Sequence, residues 1–284
     1  MANRNRDDGP FLLLNERDEP VEDPKLISQI KYDGRRVMVQ KHGDDIKLIG
    51  RDSITPERYP EVLEAFRKIP GSFVVDTEFA VFGPDGIKTD RGRLQTRDRT
   101  EDRLKIKLMS KIMPVKPVIF DLLELDGQIV ENQAYEKRLQ AIQERFLGKE
   151  GIEVAKSFDS ATAAWDYALA HELEGIVERD KASPYIHGRT DTAIKVKRKG
   201  LYPILFTGYE VQNAGITLTN KDGVRCACNG EKHKEVKEQI DKFGYAKVIV
   251  RGMADLTNAG KIREIVFYKM EVEPNVRTED KDGQ

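Results

Sequence analysis

The sequence predicts an α+β protein with a small, separate all-β unit at its C-terminal end. Three observations carry this. Apolar and polar residues alternate over 35–50 and 73–82, which reads as strands, with turns at His42-Gly43-Asp44-Asp45 and Gly83-Pro84-Asp85-Gly86. Between such strands, apolar residues recur at helical spacing. After about residue 200 the texture changes to short strands with a single helix.

The elements follow in order. A helix over 60–68 rests on Val62, Leu63 and Phe66 and is stopped by Pro70-Gly71. Residues 115–125 read as a buried strand. Residues 136–146 form an amphipathic helix. So do 160–171, with Ala161, Ala164, Tyr167 and Ala168 on one face and capping oxygens at Ser157 and Ser160. Strands and loops then alternate to Lys197. The change of texture falls near Lys199-Gly200, so the expected units are 1–199 and 200–284. In the second, strands at 204–209, 215–219, 224–228, 246–253 and 262–272 surround a helix at 232–243. About five strands and one helix match a small Greek-key barrel. Periodicity alone does not distinguish one small barrel from another.

Composition narrows the class. Charged residues are 34% of the 284, the net charge is -1, and no apolar run approaches the ~18 residues of a membrane span. The polar start, Met1 to Pro10, does not read as a signal peptide. A cytoplasmic monomer is expected. The two cysteines, Cys226 and Cys228, have only His233 nearby, so a zinc site lacks its fourth ligand and reduced thiols are expected. Cations concentrate between 88 and 116. Arg91, Arg93, Arg97, Arg99, Lys105 and Lys107 lie there among few acids. Such a run is usually a solvated face, but its local excess suits a surface that follows phosphates.

The most informative segment is Lys31-Tyr32-Asp33-Gly34-Arg35-Arg36. A lysine amine is nucleophilic only when unprotonated, and its free pKa is near ~10.4, so it needs burial or nearby cations. An apolar-leaning lead-in, Leu26 to Ile30, delivers Lys31 from a strand. Arg36 lies close enough to hold a phosphate and to disfavour a second positive charge. Gly34 permits a tight turn or a close backbone approach.

This K-x-D-G-x-R pattern resembles the signature of covalent nucleotidyltransferases: DNA ligases, RNA ligases and mRNA capping enzymes. Five further segments resemble that family's motifs in its order. They are Gly50-Arg51-Asp52-Ser53, Asp76-Thr77-Glu78 (Thr77 where glycine is usual), Phe120-Asp121-Leu122-Leu123-Glu124-Leu125-Asp126-Gly127, Glu174-Gly175-Ile176-Val177 and Lys195-Val196-Lys197. The Phe120 segment and the run Ser183-Pro184-Tyr185 are similar to those of ATP-dependent DNA ligases. The resemblance implies a nucleotidyltransferase domain of antiparallel sheets with flanking helices, then an OB-fold barrel.

It also implies roles. Lys31 would attack the α-phosphorus of ATP to form a lysyl-AMP, and the AMP would pass to a 5′-phosphate of nicked duplex DNA. Lys195 and Lys197 would hold the α-phosphate. Arg36 and Arg51 would contact ribose or phosphates, Glu78 a ribose hydroxyl, and Phe120 the purine face. Glu174 would ligate Mg²⁺ or Mn²⁺. Gln29, two residues before Lys31 on the same strand face, would read a base edge, without deciding adenine against guanine. Arg277, Asp280 and Lys281 resemble the family's last motif with one extra residue. With only 30 residues before Lys31 in this sequence, the DNA is expected to be held by the two units themselves, chiefly by the basic 88–116 stretch. An RNA ligase or a GTP-dependent capping guanylyltransferase shares several of these motifs. A non-catalytic nucleic-acid-binding protein on the same scaffold would not need Lys31, Glu174, Lys195 and Lys197 intact.

Overall fold

In the computed structural model, which describes residues 10–253 and 262–271, the chain divides between Arg198 and Lys199. This is one residue before the expected boundary. In chain order the first unit contains β1 (Leu12–Arg17), β2 (Leu26–Lys31), β3 (Arg35–His42), β4 (Asp45–Gly50), α1 (Pro60–Arg67), β5 (Phe73–Val81), α2 (Arg91–Arg99), α3 (Arg103–Ile112), β6 (Val115–Leu125), β7 (Gln128–Ile129), α4 (Tyr135–Phe146), β8 (Glu153–Val154), β9 (Ser157–Phe158), α5 (Ala161–Ala170), β10 (Gly175–Asp180) and β11 (Gly188–Lys197). One sheet has the order β1-β11-β10-β2-β9. The other runs β4-β3-β5-β6-β7, with β8 beside β6.

Strand alternation sorts the side chains into layers. Val37, Val75, Phe79 and Ile119 of the second sheet pack on Tyr59, Val62, Phe66, Leu94, Ile142 and Phe146 of the helical side. The opposite face of the same strands, with Met38, Val74 and Leu123, meets Phe11, Leu12, Tyr185 and Ala193 of the first sheet and its connections. The far side of the first sheet, with Ile30, Ile176 and Val196, is covered by Ala164 and Ala168 of α5. Small residues there let the helix lie close to the strands.

Two acids are buried at zero exposure in this sandwich, Asp76 and Asp121. Asp121 on β6 accepts from Arg138 of α4 at 2.8 Å and from Arg179 of β10 at 3.0 Å, so one carboxylate ties a helix and both sheets together. Asp76 on β5 accepts from Arg36 at 3.0 Å and from the Tyr185 hydroxyl at 2.7 Å. Each buried charge is therefore compensated, as burial demands.

Two helices, α2 and α3, replace what reads in the sequence only as a charged stretch. Their start signals are short: the side chains of Asp90 and Asp102 accept from the backbone N–H of Arg93 and Lys105. Arg97 corrects the expectation of a nucleic-acid contact. Together with Leu94, one turn earlier, it faces inward, and its side chain is 1% exposed. The guanidinium is taken up by Glu61 at 2.8 Å and by the carbonyl of Arg58 at 2.7 Å.

The second unit contains β12 (Lys199–Phe206), β13 (Gly208–Gln212), β14 (Gly215–Thr219), β15 (Arg225–Asn229), α6 (Lys232–Phe243), β16 (Ala246–Met253) and β17 (Arg263–Met270). They form two three-stranded sheets, β12-β16-β17 and β13-β14-β15, around a core of Phe206, Ile216, Leu218, Val236, Val248 and Val250. Cys226 and Cys228 alternate inward on β15 and are buried free thiols in that core. Arg277, Asp280 and Lys281 lie outside the described residues. No helix among the described residues is long and apolar enough to cross a membrane.

Removing the Asp121 charge leaves two buried arginines uncompensated. Asp121→Asn should lower the unfolding free energy in urea by about 3–5 kcal/mol. Asp45→Asn removes an exposed partner of Lys47 and should change it by no more than about 0.5 kcal/mol.

Candidate active site

Strand β2 ends on Lys31, and pairing sets what lies beside it. Gly175 is opposite Lys31 on one side and opposite Lys197 on the other. Glu174, immediately before β10, therefore projects between the two amines. Its Oε2 accepts from Lys31 Nζ at 2.7 Å, and its Oε1 lies 3.7 Å from Lys197 Nζ. Gly175 has φ +147°, and a Cβ there would fall 2.0 Å from the Val196 carbonyl oxygen, so only glycine lets the strands close on Glu174. Gly34 has a similar duty. A Cβ at that position would sit 2.2 Å from the Phe79 carbonyl oxygen and 2.8 Å from Glu78 Cγ. The close crossing from β2 to β3 brings Glu78, on the other sheet, to Lys31.

The electrostatics differ from the sequence expectation. Burial works against the Lys31 charge, but the carboxylates of Glu174 and Glu78 outweigh it and hold the amine above its ordinary pKa. Without nucleotide, Lys31 is an ammonium gripped by acids. The strongest charges on Lys31 are thus acids, and the Arg36 guanidinium is paired with Asp76, the Tyr185 hydroxyl at 3.3 Å and the Leu12 carbonyl. Burial, aided by Glu174, pushes the Glu78 carboxyl up to about 7, against the opposing pull of Lys31, Arg36 and Arg91.

Gln29 sits 1% exposed on the same face of β2 as Lys31. Its Nε2 donates to Ser157 Oγ at 3.1 Å, and that hydroxyl donates onward to the Ala155 carbonyl. This relay fixes the amide orientation. Gln29 Oε1 is left buried with no partner. The ladder between β5 and β6 skips Phe120: Asp76 pairs with Asp121 and Thr77 with Ile119. This bulge turns Phe120 and Asp121 toward the first sheet together. The Phe120 ring lies 5.3 Å from the guanidinium carbons of both Arg36 and Arg179. Thr77 points the other way and donates its hydroxyl to the Val37 carbonyl at 2.7 Å, so the missing glycine serves sheet packing.

Lys195 shares a face with Lys197 but meets a different acid, Glu16 on β1, at 3.3 Å. Arg51 lies in an exposed bend after β4, outside this cluster of contacts. That bend is anchored by Arg35, which donates to the Ser53 carbonyl at 2.9 Å. Arg93, Arg99, Lys105 and Lys107 are exposed on α2 and α3, and Arg91 lies 3.9 Å from Asp33. The site thus gathers Lys31, Glu78, Glu174 and Lys197 closely. Asp76, Asp121 and Glu16 were not singled out in the sequence. The only signal for the two aspartates was their place inside recognised segments.

The donor set suits a divalent cation of modest demands. Among the described residues no cluster of three or more His, Cys, Asp or Glu side chains exists. Glu174 and Glu78 could supply one or two carboxylates, with substrate phosphates and water completing the shell, as Mg²⁺ commonly requires. The orphaned Gln29 Oε1 and the Phe120 ring suit a purine nucleotide.

A strand ending on Lys31, a carboxylate between two lysines and a bulged aromatic fit the covalent nucleotidyltransferase class. The chain belongs to the ATP-dependent DNA ligase domain family, whose sequence profile matches residues 15–197. It is 31% identical over 175 residues to a probable DNA ligase of Sorangium cellulosum (strain So ce56), covering 59% of this chain and 32% of that protein. It is 24% identical to the SPbeta prophage-derived DNA ligase-like protein LigB of Bacillus subtilis (strain 168), covering 89% of this chain and 95% of that one. The chain thus spans about a third of the Sorangium relative and nearly all of LigB. In fold it resembles a Lig E DNA ligase (TM-score 0.63, 16% identity, 93% of this chain and 99% of that one). It also resembles a mycobacterial DNA ligase D complexed with ATP and MES (TM-score 0.59, 17% identity, 96% and 97%).

Glu78 gives the site a pH signature. Its folded pKa of about 7 exceeds the ordinary 4.5, so its stability contribution is fully present below pH 4.5 and is lost as pH rises through 7. Glu78→Gln should therefore raise Tm at pH 8 and leave it nearly unchanged at pH 5. Scanning calorimetry at both values checks this; equal shifts would refute it.

Proposed function

We propose that this chain is an ATP-dependent DNA ligase that seals nicks in duplex DNA through a lysyl-AMP on Lys31. The observation that carries the reading is the Lys31–Glu174 contact of 2.7 Å, with Lys197 on the far side of the same carboxylate. A nucleophile, a candidate metal ligand and a phosphate-binding cation are thus within one contact shell.

In the first step Lys31 Nζ, having lost its proton, forms a bond to the α-phosphorus of ATP while the bond to the bridging oxygen breaks and pyrophosphate departs. The AMP then moves to the 5′-phosphate at the nick, and the 3′-hydroxyl displaces it. Covalent catalysis divides one difficult displacement into easier ones. Lys195 and Lys197 hold the α-phosphate and offset the charge that builds on it. A bound Mg²⁺ would shield phosphate oxygens and weaken the hold of Glu174 on the Lys31 proton. Phe120 offers a stacking face. The Gln29 relay leaves a carbonyl acceptor, which suits the exocyclic amine of adenine and opposes the O6 of guanine; this favours ATP over GTP. The exposed cations of α2 and α3 serve as a phosphate-tracking surface for DNA. Domain units near 1–198 and 199–284, nucleotidyltransferase then OB barrel, complete the proposal.

Incubation with α-labelled ATP and Mg²⁺, followed by a denaturing gel, should show a covalent adduct in the wild type and none in Lys31→Ala. Its rate should rise with pH above 7, because the acids around Lys31 keep it protonated. An adduct formed from GTP alone, or one that survives in Lys31→Ala, would overturn the reading. For the DNA surface, Arg93→Ala and Arg99→Ala should each weaken binding to a nicked duplex and reduce the slope of log K against log salt by about 1. Arg97→Ala should lower Tm and leave that slope unchanged.

A further inference from the structure

We infer that Glu16 is a positioning residue for Lys195 in the transfer of AMP to Lys31, an inference that rests on the ligase reading above. The argument begins with register. β1 and β11 pair in parallel, with Leu14 opposite Thr190, and then the ladder jumps so that Asn15 lies opposite Ile194. An unbroken ladder would set Glu16 against Thr192. The jump sets it against Lys195 instead, and Arg17 against Val196.

The irregular segment is built, not loose. Asn15 donates to the Asp191 carboxylate, the hydroxyls of Thr190 and Thr192 lie 2.9 Å apart, and Thr192 N–H donates to Thr190 Oγ1 at 3.1 Å. Arg189 donates to the Leu14 carbonyl and to Asn15 Oδ1, each at 3.2 Å. On the other side of Glu16, Arg17 pairs with the buried Glu178, which also accepts from Val21 N–H at 2.8 Å. Glu16 is thus pinned from both ends of its strand segment. Bulges beside active sites commonly re-aim a side chain.

The outcome is a pair of lysines on one strand face that meet different carboxylates. Lys197 has Glu174 at 3.7 Å, and Lys195 has Glu16 at 3.3 Å. An ammonium has three donors, so Lys195 can keep one on Glu16 and offer others to a phosphate. The pair remains open to a substrate, with side chains 25% and 31% exposed. An untethered lysine stem samples many rotamers, and holding it removes that entropy from the reaction barrier. Glu16 therefore acts through Lys195 and touches no reacting atom.

The test is single-turnover adduct formation across ATP concentrations for wild type, Glu16→Ala, Glu16→Gln and Glu16→Asp, each also in a Lys195→Ala background. In Glu16→Ala the maximal rate should fall about tenfold to a hundredfold. The ATP concentration for half-maximal rate, and the affinity for AMP measured by calorimetry, should stay within about threefold. Glu16→Asp should recover part of the rate, and no Glu16 substitution should slow Lys195→Ala further. Glu16→Gln preserves the shape should the alanine variant fail to fold. An undiminished rate in both Glu16→Ala and Glu16→Gln, or the same loss with and without Lys195, overturns the inference while leaving the ligase reading intact. Failure of the wild type to form any adduct overturns the ligase reading, and this inference with it.

Discussion

Two fully buried carboxylates govern the first unit. The buried Asp121 carboxylate is compensated by Arg138 and Arg179, and those arginines come from a helix and from the opposite sheet. Asp76 imposes the same condition on Arg36 and Tyr185. Uncompensated, either charge would be strongly destabilising. Meeting the condition sets the spacing of the two sheets, and that spacing decides whether Lys31 on one meets Glu78 on the other.

The same constraint reaches the motif that opens on Lys31, where the Arg36 guanidinium is held by Asp76 and the Leu12 carbonyl. The charges that act on Lys31 are acids. Such surroundings favour the ammonium of Lys31 over the free amine.

Backbone irregularity contributes as much as side-chain identity. A bulge turns Phe120 and Asp121 the same way, so one β6 segment sets an aromatic ring beside Arg36 and Arg179 and staples the sheets through Asp121. A second shift, between β1 and β11, carries Lys195 opposite Glu16. Glycines at 34 and 175 allow strand approaches that any side chain would block. Each is a local departure from regular sheet geometry, and each lies beside a residue of the site.

Much of this was legible in the sequence. Period-two and period-3.6 patterns located many strands and helices, the helix near 232–243 among them, because burial of one face is a local property of the chain. Lys31, Glu174 and Lys197 were legible because their motifs carry the chemistry in short segments. Helices α2 and α3 were not, since α2 holds a single apolar residue, Leu94, and the apolar residues of α3 are interleaved with the cations that read as a charged stretch. The burial of Arg97, the pairing of Arg36 with Asp76 and the pairing of Glu16 with Lys195 were decided by tertiary structure alone. Each depends on which partner lies across a sheet or beneath a helix, tens of residues away or more, and neither hydropathy nor spacing encodes that distance.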